Sequence, residues 1–292
     1  MFHWLFHLLD IHPIDPNQKV PVHSKDEPVP YMPDWYFHRF ILFYAAIPVL
    51  IHHLYTLYFE QNPPTIVVYF FYSSFLNINA IHEVHMLRRL GHKYGFLDGD
   101  KHERDGIPDV AVKKLFLSLF QGSHIRPMLA VILSYNSSLL PSSINWKILL
   151  LEIACYGLAV DFWFYWYHRM MHDVDGLWKF HRTHHLTKHP SPLLAIYADS
   201  VQEVFDVILI PLLGFGTMKL LGFPMGFYET WFCYEYVIFT EVLGHSGLRV
   251  HAIAPSPLSW LYHMFGLEGV IEDHDLHHRQ GWRKYVSLHH AS

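Results

Sequence analysis

Apolar residues fall into six long stretches, at 40–59, 65–81, 127–140, 147–167, 204–222 and 226–243, with polar segments between them. Crossing a bilayer takes roughly 17–25 mostly apolar residues in a helix. Five stretches meet that length; the one at 127–140 is short and is weakened further by Asn136, Ser137 and Ser138. The pattern predicts an all-α, multi-pass helical membrane protein with four to six spanning segments. Residues 11–34 carry six prolines and read as irregular chain, so 1–39 is taken as an N-terminal arm. Its opening, MFHWLFHLLD, lacks a basic start and a small-residue cleavage site and reads as an interfacial segment rather than a signal peptide. A polar loop is expected at 82–126 inside an N-terminal membrane region of 40–140, followed by a C-terminal region of 141–292. The last two apolar stretches form a hairpin turning at Gly222, Phe223 and Pro224, which returns the chain after 243 to the side that precedes 204.

Composition agrees with a membrane setting. Hydrophobic residues make up 51%, aromatic residues 17% and charged residues 16%, against roughly 25% charge in a soluble domain. The net charge is −5 and no basic run is present, so no nucleic-acid partner is expected. Cys155 and Cys233, the two cysteines, both sit in apolar stretches, which leaves no disulfide framework and no thiolate metal site. If all six stretches cross, 19 of the 21 Lys and Arg lie on one side and Lys147 and Lys219 on the other. The excess of basic residues on the cytosolic face of membrane proteins makes the rich side cytosolic.

That side also carries three histidine clusters: HRMMH at 168–172, HRTHH at 181–185 and HDLHH at 274–278. With 26 histidines in 292 residues, a given HxxHH is expected by chance only ~0.2 times, and two occur. Residues at i, i+3 and i+4 share a helix face. His181, His184 and His185 are therefore expected to meet at one point, and His274, His277 and His278 at another, with His168 and His172 adding two more. Eight imidazoles are too many for one ion and suit two. His245, in GHSG, follows an apolar stretch on the same side and is taken as a ninth ligand; His251 and His263 rank below it. Neutral imidazole suits iron, zinc, copper and nickel. A zincin HExxH is absent, since the chain offers HRMMH and HEVH, and none of the eleven glutamates has a histidine three residues on, as a carboxylate di-iron bundle requires. Asp161 lies seven residues before His168, and an acid in a spanning segment is a functional candidate. It either orients a ligating imidazole from outside the coordination sphere or pairs with a neighbouring tyrosine or tryptophan.

From Gly157 to Trp282 the motifs DFWFYWYHRMMH, LWKFHRTHH, GHSG and EDHDLHHRQGW resemble the fatty acid hydroxylase superfamily, which includes C-5 sterol desaturase, C-4 methylsterol oxidase, cholesterol 25-hydroxylase and sphingolipid hydroxylases. Acyl-CoA desaturases look similar but usually place four residues between the first histidine pair, where this chain has three. The resemblance implies two iron ions, with zinc possible in isolated protein, held by His168, His172, His181, His184, His185, His274, His277 and His278, and it supports His245. It further implies dioxygen as co-substrate, hydroxylation or desaturation of a lipid C–H bond, and an endoplasmic reticulum membrane. No cytochrome-b5-like His-Pro-Gly-Gly segment is present, so electrons are expected from a separate donor such as cytochrome b5 or a reductase. The family usually continues with an Asn-Tyr-Gly-like stretch and a Trp-Asp…Phe-Gly-Thr ending; here RKYVSLHHAS follows Trp282, and the C-terminus reads as atypical or truncated. Residues 1–140 carry no assigned motif. The residues alone leave two other readings open, a zinc-dependent membrane enzyme and a non-catalytic histidine-rich metal-binding membrane protein.

Overall fold

A computed structural model describes residues 20–24, 26–97, 112–266 and 271–280. Residues 1–19, 25, 98–111, 267–270 and the tail 281–292, with Trp282, Tyr285 and Leu288, lie outside the described residues. Six long helices dominate: α1 (Asp34–Phe59), α2 (Thr65–Tyr94), α3 (Val112–Ser134), α4 (Trp146–Asp173), α6 (Ser200–Leu220) and α7 (Phe227–Gly244). Three short helices, α5 (Asp175–His181), α8 (Ser259–Phe265) and α9 (Ile271–Gln280), cap one end. Extended pairing among the described residues is limited to two isolated bridges, Tyr31 with His251 and Phe96 with Leu248.

The long helices alternate in direction between two ends. At the far end, the Asn62 amide donates to the Ser137 and Leu139 carbonyls at 2.7 and 3.0 Å, and the Tyr135 hydroxyl donates to the Pro63 carbonyl at 2.9 Å. The Asn145 backbone N–H donates to Glu229 there, and that of Met225 to Glu152, both at 2.9 Å. At the opposite end, Arg249 N–H donates to the Gly95 carbonyl at 3.1 Å and Met32 N–H to the His251 carbonyl at 2.9 Å. These contacts place the start of α1, the end of α2 and the return after α7 together, on the end that also holds the histidine clusters. The turn between α6 and α7 falls at Gly222, whose φ of +87° is a left-handed conformation that glycine adopts without penalty.

Four helices are long and apolar enough to cross a membrane: α1, α3, α4 and α6. The chain is an integral membrane protein. Two sequence expectations change. Residues 127–134 are the end of α3, which begins at Val112 and stops at Ser134, so the helix is 23 residues long and reaches full spanning length. Correspondingly, the expected loop 82–126 is helical at both ends, because α2 runs on to Tyr94. Residues 226–243 form the central helix of the bundle. Thirteen of the 18 residues of α7 are buried, and a helix apolar on every side packs inside rather than against lipid. Its acids, Glu229, Glu235 and Glu241, need that shelter. Trp231 anchors it, donating from Nε1 to the Ala45 carbonyl at 2.9 Å and meeting the Tyr72 ring edge-on with centroids 4.9 Å apart.

Candidate metal centre

His168 and His172 leave the last turns of α4, His181 ends α5, and His184 and His185 sit in a short 3-10 turn, His184–Leu186. His245 caps α7, and His274, His277 and His278 lie on α9. All nine converge, in two groups: His168, His172, His181, His185 and His277 in one, and His184, His245, His274 and His278 in the other. Within each group the ligand atoms lie within 4.8 Å of one another. The groups adjoin, with the His185 and His278 rings 4.8 Å apart between centroids.

Neither HxxHH triplet meets at one point, as the shared-face argument expected. His181 and His185 go to the first group and His184 to the second; His274 and His278 go to the second group and His277 to the first. On a helix advancing ~100° per residue, i and i+4 diverge by only ~40°, whereas i+3 and i+4 diverge by ~100°. The motif therefore sends its i and i+4 imidazoles to one centre and its i+3 imidazole to the other. His251 and His263 belong to neither group.

The nitrogens present their lone pairs inward. His184 Nδ1 faces the Tyr197 carbonyl at 3.1 Å, His245 Nδ1 the Glu241 carbonyl at 2.7 Å, and His278 Nδ1 the Thr187 carbonyl at 3.1 Å. A ring nitrogen against a carbonyl oxygen carries the proton, which leaves Nε2 bare. His184 Nε2 and His245 Nε2 nevertheless sit 3.3 Å apart, and His278 Nε2 is buried without a hydrogen-bond partner. In the first group, His181 Nδ1–H donates to Gln202 Oε1 at 3.0 Å, and Gln202 is held in that orientation by donating from Nε2 to Asp206 Oδ2 at 3.0 Å. His181 Nε2, bare in turn, lies 2.8, 3.1 and 2.9 Å from the Nε2 atoms of His168, His172 and His185. Lone pairs facing one another at such distances repel unless a cation lies between them. An ion ~2.1 Å from each nitrogen sets neighbouring ligands ~3 Å apart, the spacing seen here, so the residues fit two metal ions.

Burial keeps these rings neutral. It lowers His181 and His277 to about 4, and burial with neighbouring imidazoles holds His184, His185, His274 and His278 far below the ordinary histidine range. Neutral imidazole is the form that binds metal. The carbonyls of Tyr197, Thr187 and Glu241 and the side chains of Gln202 and Asp206 were not among the sequence candidates. Gln202 and Asp206, at i and i+4, flank the start of a π turn, Phe205–Leu209, of the kind often found at functional sites. Asp161 takes a different place: it lies in the wall of a cavity that opens onto the imidazoles, and among the described residues no hydrogen bond joins it to any of them.

That cavity, of about 300 Å³, reaches from His168, His184 and His245 down between α4, α6 and α7, past Val160, Ile210 and Val237 to Ile153. A fatty acid hydroxylase of Lecanicillium sp, vlmA, is 40% identical to this chain over 284 residues, covering 92% of this chain and 77% of that protein. The fatty acid hydroxylase family model matches residues 153–291. The chain belongs to the fatty acid hydroxylase family. Shorter similarities agree. An alkylglycerol monooxygenase of Xenopus tropicalis is 30% identical over 34% of this chain and 20% of its own length. A fatty acid hydroxylase domain-containing protein 2 of Macaca fascicularis is 27% identical over 42% of this chain and 37% of its own length. No solved structure matches. The family match begins within α4, so α1, α2 and α3, the last with Arg126 in the cavity wall, fall outside it, while all nine imidazoles fall within.

Proposed function

We propose that this chain is a membrane-bound, non-haem di-iron oxidoreductase that hydroxylates or desaturates a C–H bond of a lipid with dioxygen. The observation that carries the reading is the pair of adjoining imidazole groups, five and four nitrogens, at the mouth of an apolar cavity. His168, His172, His181, His185 and His277 would hold one ion, and His184, His245, His274 and His278 the other. Bound iron supplies the redox chemistry with dioxygen that breaks a C–H bond. For hydroxylation, one oxygen atom enters the lipid and the other leaves as water, which consumes two electrons and two protons. The electrons come from a separate donor, cytochrome b5 or a reductase, at the cytosolic face of the endoplasmic reticulum membrane.

The protein's own part is positioning and exclusion. Nδ1–H bonds to fixed carbonyls hold the His184, His245 and His278 rings with Nε2 inward, and Gln202 does the same for His181. The cavity admits an apolar chain beside His168 and His184 while its walls of Ile153, Val160 and Ile210 exclude bulk water. Metal analysis of the full chain purified from iron-supplemented cells, combined with oxygen uptake and lipid product analysis, tests the reading. Two irons per chain with lipid-dependent oxygen uptake and an oxidised lipid are expected; one ion per chain, or zinc with turnover that needs no oxygen, would overturn it.

A further inference from the structure

We propose that Arg126 binds a neutral oxygen of the lipid substrate, a carbonyl or a hydroxyl, and thereby selects which lipids are taken and which carbon is presented to the imidazoles. The proposal rests on the lipid-oxidation reading above and names the substrate chemistry of that same cavity. Arg126 lies on α3, 8% exposed, with its side chain in the cavity wall. A guanidinium has five N–H donors. Among the described residues Arg126 spends one, from Nη2 to Glu241 Oε2 at 2.8 Å, and its unpartnered Nε and Nη1 are not fully buried. Donors facing a largely apolar space need an acceptor, and among the described residues Glu241 is the one hydrogen-bond acceptor Arg126 has.

The surrounding charges define the acceptor. Glu241 already balances Arg126, and Asp206 lines the same cavity. Acids match or outnumber bases there, so an incoming carboxylate would bring an uncompensated negative charge into a dry site. An ester, amide or thioester carbonyl, or a hydroxyl, takes the free donors without that penalty. The position is equally specific. Glu241 is one helical turn before His245, which sets the guanidinium ~5–10 Å below the imidazoles. The apolar arm runs on to Ile153, fifteen residues before His168 along α4 and therefore ~22 Å away, enough for an extended chain. A lipid whose oxygen sits at Arg126 and whose tail fills this arm presents a carbon near its head, rather than the far end of its tail, to the metal.

The test uses the full chain in lipid nanodiscs, metal-free and iron-loaded, with tritiated hexadecanamide as probe and hexadecane and hexadecanoate as competitors. The wild type should hold hexadecanamide about tenfold or more tighter than either competitor, as a hydrogen bond to a charged group allows. Arg126→Met leaves the half-buried Glu241 unpaired and can fail to fold, so Arg126→Met/Glu241→Gln is measured beside it. The double variant should bind hexadecanamide and hexadecane alike with metal content unchanged, Arg126→Lys should recover part of the preference, and products of the loaded variants should scatter along the chain. A wild type without preference, or one that prefers hexadecanoate, overturns the proposal, as does a double variant that keeps full discrimination and regiochemistry. Binding that follows Arg126 in a protein that oxidises no lipid would uphold this inference while removing the oxidation reading.

Discussion

The two imidazole groups are built differently, although each HxxHH motif contributes to both. In the four-imidazole group, three rings are aimed by backbone carbonyls, those of Tyr197, Glu241 and Thr187, and three of the four rings are buried. The five-imidazole group is more open, with three rings half-buried, and among the described residues its one outer partner on an Nδ1 is a side chain, Gln202. A carbonyl fixed by the fold cannot rotate away, whereas an amide is only as firm as the Asp206 contact behind it. The four-imidazole group is therefore preset by the fold, and as a metal site it would have no ligand to spare. The five-imidazole centre has one ligand more and a softer frame.

The largest expected effect breaks that symmetry directly. His278→Ala takes a buried ligand from a set of four and should lower metal content from two ions per chain toward one, with loss of turnover. His277→Ala leaves four nitrogens in its group and should also abolish turnover while retaining most of the second ion. Equal metal loss in both variants, measured by elemental analysis, would remove the distinction between the centres. Next in size is Gln202→Leu, which frees the His181 ring. Outer partners of this kind are worth ~10–100-fold in metal affinity. Chelator competition should show that weakening at one of two ions only, with the other unchanged.

The sequence made the nine imidazoles legible and their partition illegible for the same physical reason. Spacings of three and four residues announce a shared side of a helix, but two centres close enough to adjoin lie on that same side, and only the ~100° between i+3 and i+4 separates them. Length and hydropathy found the six long helices, yet they could not tell α7, enclosed on nearly every side, from a lipid-facing span, because both are apolar around their circumference. Gln202 was invisible because its role depends on α6 packing beside α5, and the three carbonyl partners because every residue has a carbonyl. Arg126 was counted only as a charge at the end of an expected polar loop, on residues that lie in α3.

Acid should separate the centres further. His181 and His277 have folded values lowered to about 4, below the ordinary 6.5 of an unfolded histidine. The unfolded chain therefore binds more protons between those values, and the metal-free protein should lose stability as pH falls from about 6.5 to about 4, by up to ~1.4 kcal/mol per such group per pH unit. His184, His274 and His278 in one group and His185 in the other are held further down by burial and neighbouring rings, so the two rings lowered only to about 4 both belong to the five-imidazole group. Titrating the loaded protein downward should release the ion of the five-imidazole group first. Simultaneous release of both ions would show that the two sets titrate as one unit.

The smallest effect is expected at Asp161. An acid that oriented a ligating imidazole would touch its Nδ1–H, and removing it would weaken metal binding on the scale of Gln202→Leu. Asp161 instead faces the cavity on α4 about two turns before His168, and the Nδ1 atoms with recorded outer partners belong to other contacts. Asp161→Asn preserves the shape of that wall and removes only a charge, so metal content and chelator resistance should match the wild type, with any change confined to substrate affinity. A loss of metal affinity approaching tenfold in Asp161→Asn would restore the acid to the support of the five-imidazole centre, and would make that centre's frame firmer than its single Gln202 contact implies.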